Sequence, residues 1–267
     1  MPVSCTIRPR PMPQEEFTRL DYLVTQFAFE SQNSLGRLCD ETIYENDLAA
    51  RISAAGLGPV QQQLPLILSH RDFTKTYYLD LVVAESAVYE LKTAIRLINE
   101  HETQLLNYMF IWGTQHGKLV NFRSPRVECR FVNAQLSLEM RRRFKVHLEK
   151  WCERDGASER LRTTFVALLE DWGAFLDFAV YLEALTHFVG GEHNVIRMVP
   201  LARDGISLGN QRLHLLTPDT GFCITALTNG TAQYEQHLSS LLRHSGLRCF
   251  QWINLDHHDV HFVTWPK

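Results

Sequence analysis

The stretch from 78 to 92, Tyr-Leu-Asp-Leu-Val-Val-Ala-Glu-Ser-Ala-Val-Tyr-Glu-Leu-Lys, places alternating apolar and charged residues on both sides of a short polar break. Such alternation in runs rich in Leu, Val and Tyr is typical of two β-strands joined by a turn. If the chain turns around Glu85, the antiparallel register places Asp80 opposite Glu90, with Cβ atoms about 5 Å apart. Lys92 projects from the same face as Glu90, because side chains alternate along a strand. The hairpin is therefore predicted to have one charged face and one apolar face.

Helices and further strands are predicted on both sides of this hairpin. Residues 40–55 and 99–112 have apolar side chains near helical spacing, and a glycine follows each stretch. Apolar and β-branched runs predict strands at 62–69, 77–83, 87–93, 118–122 and 126–132. The order is helix, three-stranded antiparallel meander, helix, two strands, which indicates an α/β fold.

The rest of the chain is predicted to repeat this order with added helices. Helices are expected at 137–152, 158–171, 175–189 and 234–244, and strands at 194–201, 212–216, 222–227 and twice within 248–264. A gapless shift of 133 residues places Gly113 on Gly246 and Asn121 on Asn254. We therefore predict an internal duplication.

These patterns predict that the chain is divided into three parts. Residues 1–20 are predicted to be an extended N-terminal arm, because their prolines lack the amide hydrogen that regular structure needs. Residues 21–134 form a first domain. Residues 135–267 form a second, degenerate copy, in which the stretch equivalent to the charged hairpin lacks the acid–acid–lysine set.

Composition limits the classes of function. The 267 residues are 45% hydrophobic and 21% charged, with a formal net charge of −3, so the chain can bury a large core but lacks the basic excess of proteins that bind phosphates by bulk attraction. No apolar run approaches the roughly 18 residues of a membrane span, and the first residues lack a secretory signal, which predicts a cytoplasmic protein with no membrane association. No two of the six cysteines have C-x-x-C spacing, so reduced thiols are expected.

The predicted pair of carboxylates points to a metal site. Two carboxylates this close cannot both be ionised without a compensating charge. Mg²⁺ or Mn²⁺ prefers oxygen ligands and leaves positions for substrate phosphate, and Lys92 beside it could orient or deprotonate an attacking water. This arrangement would hydrolyse phosphodiesters, although Glu-Leu-Lys in a half-solvated sheet is also an ordinary surface pattern.

Three other groups of residues have weaker signals. Gln104 and Tyr108 are four apart on one helix face, where they could contact phosphate, base or a metal-bound water, or could simply be helix surface and core rim. His257, Asp259 and His261 could share a strand face as a transition-metal site, but solvated hairpin residues are favoured. The run Arg141–Arg143, together with Lys145, could contact a nucleic-acid backbone, but a solvated helix face is favoured.

Five motifs between Ser34 and Val132 resemble those of the GxxExxY family, which is placed in the PD-(D/E)XK nuclease superfamily. They are Glu41-x-x-Tyr44, Leu79-Asp80, Glu90-Leu91-Lys92, Gln104-Leu-Leu-Asn-Tyr108 and Val120-Asn121-Phe122. The resemblance implies that Asp80 and Glu90 hold the metal, with Glu41 as a further acidic residue from the helix. It also implies that Lys92 serves the nucleophilic water, and that Gln104 and Tyr108 match the Gln-x-x-x-Tyr motif of RecB-like nucleases. One departure concerns the family's glycine, because Leu38 stands three residues before Glu41 and the nearest glycine is Gly36.

This resemblance implies a PD-(D/E)XK nuclease-like core over residues 21–134. The expected activity is Mg²⁺- or Mn²⁺-dependent cleavage of DNA through a metal-activated water, with no iron–sulfur cluster, since the cysteines of that branch are missing. A homodimer would help a weakly charged protein to hold nucleic acid. The alternative is a catalytically silent nucleic-acid-binding or scaffold protein of the same fold.

Overall fold

The computed structural model describes residues 2–267, which divide into two compact units, Met1–Leu138 and Glu139–Lys267. Each unit contains one six-stranded sheet with helices packed on it. None of the helices described is long and apolar enough to cross a membrane. The fold is of the mixed α/β class that the sequence predicts.

The described part of the first unit has six strands and three complete helices. In chain order they are β1 (Val3–Ser4), α1 (Gln14–Leu35), α2 (Glu41–Ala54), β2 (Val60–His70), β3 (Phe73–Val83), β4 (Ala87–Lys92), α3 (Asn99–Trp112), β5 (His116–Asn121) and β6 (Glu128–Asn133). The strands lie side by side in sequence order, and all neighbours are antiparallel except β4 and β5. Helix α3 connects these two parallel strands. The start of α3 therefore lies at the end of the sheet where β4 finishes.

The β3–β4 hairpin has the predicted register. Leu81 pairs with Tyr89 and Val83 with Ala87, and the chain turns through residues that include left-handed Ala84 and Glu85. The apolar face of the hairpin lies in a core with α1 and α2, to which Phe17, Val24, Tyr44, Leu48 and Ile52 contribute. Full burial of each such side chain stabilises the fold by roughly 1.5–3 kcal/mol, which fixes the charged face on the opposite side of the sheet.

The N-terminal arm is shorter than predicted. Residues 14–20 belong to α1, because the prolines end at Pro13, and a proline just before the first turn costs no helical hydrogen bond. The segment before α1 lies along the first unit, where Trp112 Nε1 donates to Ile7 O at 3.4 Å and Arg10 N donates to Glu85 O at 2.7 Å. The predicted domain start at residue 21 therefore falls inside a helix.

The second unit has a similar composition of elements. After α4 (Leu138–Arg141), which crosses the division, come β7 (Lys145–Lys150), α5 (Gly156–Trp172), α6 (Phe178–Val189), α7 (Glu192–Val195), β8 (Ile196–Arg203), β9 (Ile206–Thr217), β10 (Thr220–Thr225), α8 (Thr231–His244), β11 (Cys249–Asp256) and β12 (Asp259–Pro266). The sheet order is β7-β12-β11-β10-β9-β8. The helix predicted over 137–152 is wrong, since Lys-Val-His-Leu-Glu-Lys at 145–150 alternates with a period of two and pairs in parallel with β12.

The two units repeat the same strand registers at an offset of 133 residues. The parallel pairing of β4 with β5 matches that of β10 with β11, and the β5–β6 pairing matches that of β11 with β12. One side-chain device repeats as well. Asn121 accepts from Ala94 N at 3.0 Å and donates to Ala94 O at 2.9 Å, while Asn254 makes the same two bonds to Leu227 at 2.8 and 2.9 Å. The second half therefore repeats the β–α–β core of the first.

Candidate active site

Asp80 lies where the β3–β4 ladder opens. Backbone pairing ends at Leu81 and Tyr89, and Asp80 Oδ2 accepts a hydrogen bond from Leu91 N at 2.8 Å. The carboxylate thus takes the place of a backbone partner between the two strands, which holds its side chain in one orientation. Asp80 and Glu90 stand one step beyond the last paired residues.

Glu90 and Lys92 form a buried hydrogen-bonded pair on the charged face. Lys92 Nζ lies 2.7 Å from Glu90 Oε1, and the side chains are 15% and 2% exposed. Glu90 Oε2 is buried and accepts no hydrogen bond from the described residues. Burial, helped by the charge of Asp80 and opposed by Lys92, raises the pKa of Glu90 to about 8. Lys92 alone therefore does not offset the burial of Glu90 and the nearby charge of Asp80.

Glu41, the first residue of α2, reaches the same point. Its Oε2 accepts from Thr93 N at 3.0 Å, just after β4 ends. Burial raises the pKa of Glu41; Lys92 opposes this effect and Asp80 reinforces it. Burial also works against the charge of Lys92, but its carboxylate neighbours outweigh burial and raise the pKa of Lys92. The charges of three acids, Glu90, Asp80 and Glu41, therefore act on the one ammonium group of Lys92.

Gln104 and Tyr108 lie on α3 and meet each other. Gln104 Nε2 donates to the Tyr108 hydroxyl at 2.9 Å. Burial raises the pKa of Tyr108, its bond from Gln104 lowers it, and the charges of Glu90 and Asp80 raise it further. The phenol thus lies in the field of the carboxylates, and the six predicted residues occupy one neighbourhood. Their catalytic roles stay a prediction.

Two residues of this neighbourhood were not predicted, namely Gln63 and Glu45. Gln63 has a left-handed backbone, φ 49°, in the middle of β2, which costs on the order of 1 kcal/mol for a residue with a Cβ. Its Nε2 donates to Glu45 Oε2 at 2.7 Å and to Asp80 Oδ1 at 3.3 Å. The neighbouring Gln62 Nε2 also contacts Glu45, at 3.3 Å from Oε1. In a regular strand these two glutamines would point to opposite faces, so the unusual φ brings both to Glu45.

We predict that Gln63→Gly lowers the affinity of the site for a divalent cation but has little effect on the free energy of unfolding. Glycine adopts the left-handed backbone without strain, but it removes the donor that orients Asp80. Loss of a group that orients a metal ligand typically costs 10–100-fold in metal affinity, so we expect the dissociation constant for added Mg²⁺, measured by titration calorimetry, to rise about 10-fold. Gln62→Ala is the control, because Gln62 contacts Glu45 but not Asp80; an equal effect of both variants would contradict the role of Gln63.

The arrangement of ligands limits which ion can bind. Over residues 2–267, no group of three or more His, Cys, Asp and Glu side chains is placed to hold a metal ion. Mg²⁺, however, is often held by one or two carboxylates, with water and substrate phosphate filling its other positions. Asp80 and Glu90 supply two carboxylates, and the orphaned Glu90 Oε2 is a buried acceptor that a cation would satisfy. The donor set fits one hard cation.

Two further candidate sites were the histidine–aspartate group of the β11–β12 hairpin and the arginine run at 141–143. Neither presents all of its predicted residues to a ligand. His257 lies in the exposed β11–β12 turn, with its Nδ1 2.9 Å from Asp256 Oδ1. Asp259 Oδ1 instead pairs with His147 Nε2 at 2.7 Å. His257, Asp259 and His261 therefore do not converge on one point. Arg141 is 1% exposed and donates to the carbonyl oxygens of Trp172 and Ala174. Arg141 is therefore structural, because a buried guanidinium cannot contact a nucleic-acid backbone, whereas Arg142 and Arg143 are exposed and Arg143 pairs with Glu139.

The tyrosine of the Glu-x-x-Tyr motif has a structural contact that both units share. Tyr44 OH donates to the carbonyl of Gly36 at 2.7 Å, and Gly36 ends α1 with φ 76°. In the second unit Tyr181 OH donates to the carbonyl of Gly173, which ends α5 with φ 75°. The glycine that the motif's tyrosine contacts is therefore Gly36, five residues before Glu41.

The second unit lacks the charged set. At the offset of 133 residues, the positions of Asp80, Glu90 and Lys92 are occupied by Leu213, Cys223 and Thr225. Phe178 stands three residues before Tyr181, where the first unit has Glu41. This half keeps the fold without the acids.

Of the comparisons with known proteins, the family model covers most of the first unit. No curated protein matches the chain. A solved structure titled "Crystal structure of SSO0001" is similar, with 17% identity and a TM-score of 0.29. The match covers 45% of this chain and 63% of that chain, so this chain spans less than two thirds of its length, and likeness at this TM-score supports no inference. The narrower GxxExxY assignment stays a prediction. Residues 18–132, less than half of the chain, match the family model described as PD-(D/E)XK nuclease superfamily.

Proposed function

We propose that the first unit is a metal-dependent nuclease that hydrolyses phosphodiester bonds in DNA. The observation that best supports this is the group of acids beside Lys92, in which Glu90 contacts the ammonium at 2.7 Å and the charges of Asp80 and Glu41 act on both of these side chains. Such a cluster either retains a proton or binds a cation. The superfamily match of residues 18–132 supports phosphodiester hydrolysis as the reaction.

Asp80 and Glu90 are the proposed ligands of Mg²⁺ or Mn²⁺, with Glu41 as the third acid beside them. When bound, the ion supplies Lewis-acid polarisation of the phosphate and lowers the pKa of a water. Asp80 is held for this role by Leu91 N and Gln63 Nε2. Glu90 offers its unpartnered Oε2.

Lys92 acts by charge and position. Its pKa is raised by the surrounding carboxylates, so it is protonated at neutral pH and donates hydrogen bonds; it does not abstract a proton. An ammonium at this point can orient the attacking water and offset the negative charge that develops on the phosphate. The pairing with Glu90 Oε1 holds Nζ in place until substrate arrives.

Tyr108 is the proposed contact to a phosphate oxygen. Its hydroxyl oxygen accepts from Gln104 Nε2, which leaves the hydroxyl hydrogen for an acceptor. Gln104 thus orients the phenol and need not contact substrate itself.

The direct test is incubation with Mg²⁺ or Mn²⁺ and linear, circular and single-stranded DNA, with RNA in a parallel series. We expect metal-dependent DNA cleavage that stops when EDTA is added and resumes with excess metal. Binding without cleavage on every substrate would favour the alternative, a catalytically silent nucleic-acid-binding or scaffold protein. The lack of a three-side-chain metal group within residues 2–267 is the observation that favours this alternative.

A further inference from the structure

Two aliphatic side chains with very high exposure lie close in sequence to residues of the candidate site. Ile95 is 89% and Leu38 86% exposed, more than any other large hydrophobic residue in the described chain. Leu38 lies three residues before Glu41, and Ile95 lies three residues after Lys92. A single exposed aliphatic residue needs no explanation, but two such residues, each three positions in sequence from a proposed catalytic group, do.

The loops that contain these residues lie at one end of the sheet. Thr93 N donates to Glu41 Oε2 at 3.0 Å, which joins the loop after β4 to the start of α2. Arg123 Nη2 donates to Cys39 O at 3.3 Å, which joins the loop after β5 to the loop before α2. These contacts fix the two exposed residues to the surroundings of the site.

Each of these aliphatic residues has an exposed arginine as its sequence neighbour. The pairs are Arg37-Leu38 and Ile95-Arg96, which we call the rim. Neither arginine forms an ion pair with a described residue, whereas Arg51 and Arg130 each pair with carboxylates. In a chain with a net charge of −3, the rim thus supplies two exposed arginines without an ion-pair partner in the described chain, each four residues in sequence from a proposed catalytic group.

We propose that the rim binds duplex DNA at a distorted or unpaired position, with Arg37 and Arg96 on phosphates and with Leu38 and Ile95 inserted against base faces. The choice of DNA as the partner rests on the proposed function. Arginine binds phosphate oxygens strongly, and aliphatic wedges lodge between bases where stacking is broken. A mismatch or strand junction has the lowest unstacking cost, so the rim selects such sites over regular duplex.

The wedge is tested with 2-aminopurine placed beside a mismatch or junction in a duplex. Ca²⁺ replaces Mg²⁺, and a gel checks that the DNA stays intact. The wild-type chain should increase the probe's fluorescence, since unstacking relieves its quenching, and the double variant Leu38→Ser, Ile95→Ser should lose most of the increase. Tyr22→Ser is the control, because Tyr22 is the next most exposed large hydrophobic residue, at 72%, and lies on α1. An unchanged signal in the double variant would overturn the wedge.

The phosphate contacts are tested by the salt dependence of binding. Each neutralised phosphate contributes about 0.9 to the slope of log affinity against log salt concentration, so Arg37→Gln with Arg96→Gln should reduce the slope by about 1.8. Arg19→Gln removes an equally exposed charge from α1 and should leave the slope unchanged. A wild-type slope in the double variant would overturn the assignment.

These measurements separate the rim from the nuclease. Binding and unstacking by a chain that never cleaves with Mg²⁺ would support the rim and contradict the nuclease. Cleavage, binding and unstacking at wild-type level by a variant with all four rim substitutions would support the nuclease and contradict the rim. Failure to bind any duplex would contradict the rim whatever the activity.

Discussion

Replacing Asp80 by asparagine is expected to reduce metal-dependent cleavage on the order of 10³-fold. The amide oxygen can still accept the hydrogen bond from Leu91 N, so the strand geometry should survive. The variant loses the negative charge that a hard cation requires. Cleavage rates at saturating Mg²⁺, measured beside thermal unfolding, separate loss of chemistry from loss of fold.

Lys92→Met is expected to have a comparable effect for a different reason. Methionine keeps most of the length and apolar contact of the side chain but removes the charge that offsets the phosphate. Asp40→Asn is the control for both variants, since Asp40 is exposed beside Glu41 and its side chain makes no cap hydrogen bond. Cleavage at the wild-type level by both Asp80→Asn and Lys92→Met would refute the catalytic assignment.

The β3–β4 hairpin was predictable because its determinants are local. Period-two alternation and a polar turn define which residues pair, and Leu81 pairs with Tyr89 as the pattern predicts. Helix α3 was predictable for the same reason, since its apolar spacing and the left-handed Gly113 that follows it are sequence features. Because one register determines which face each side chain takes, the charged face followed from the hairpin.

What escaped prediction depends on contacts between distant segments. The left-handed backbone at Gln63 is retained because Glu45, buried on α2, binds its side chain; nothing in the local sequence marks a glutamine for that conformation. Strand β7 was mistaken for helix because pairing with β12, more than a hundred residues later, selects its extended form. Helix α1 was not predicted at all, since residues 14–20 were assigned to the proline-rich arm and residues 21–35 to no element; packing of Phe17 and Val24 in the core stabilises it.

Glu90→Gln is expected to stabilise the metal-free protein at alkaline pH. The pKa of Glu90 is about 8 in the folded chain against an ordinary 4.5, so between these values the folded state holds a proton that the unfolded state has lost. The free energy of unfolding of the wild type therefore falls as pH rises from 4.5 to 8. Glutamine mimics the protonated acid, so at pH 8.5 in EDTA the variant should be more stable by about 2–4 kcal/mol, and at pH 4.5 the two proteins should be equal.

Urea unfolding at several pH values measures this difference, with Glu100→Gln as the control, because Glu100 is an exposed glutamate in the first turn of α3. Added Mg²⁺ should reverse the order at pH 8.5. An ion that binds only the folded wild type stabilises it by mass action, whereas the glutamine variant offers no charge to the ion. If the variant is instead destabilised at alkaline pH and Mg²⁺ changes neither protein, Glu90 is an ionised structural partner of Lys92. Asp80 and Glu90 would then not form a cation-binding site.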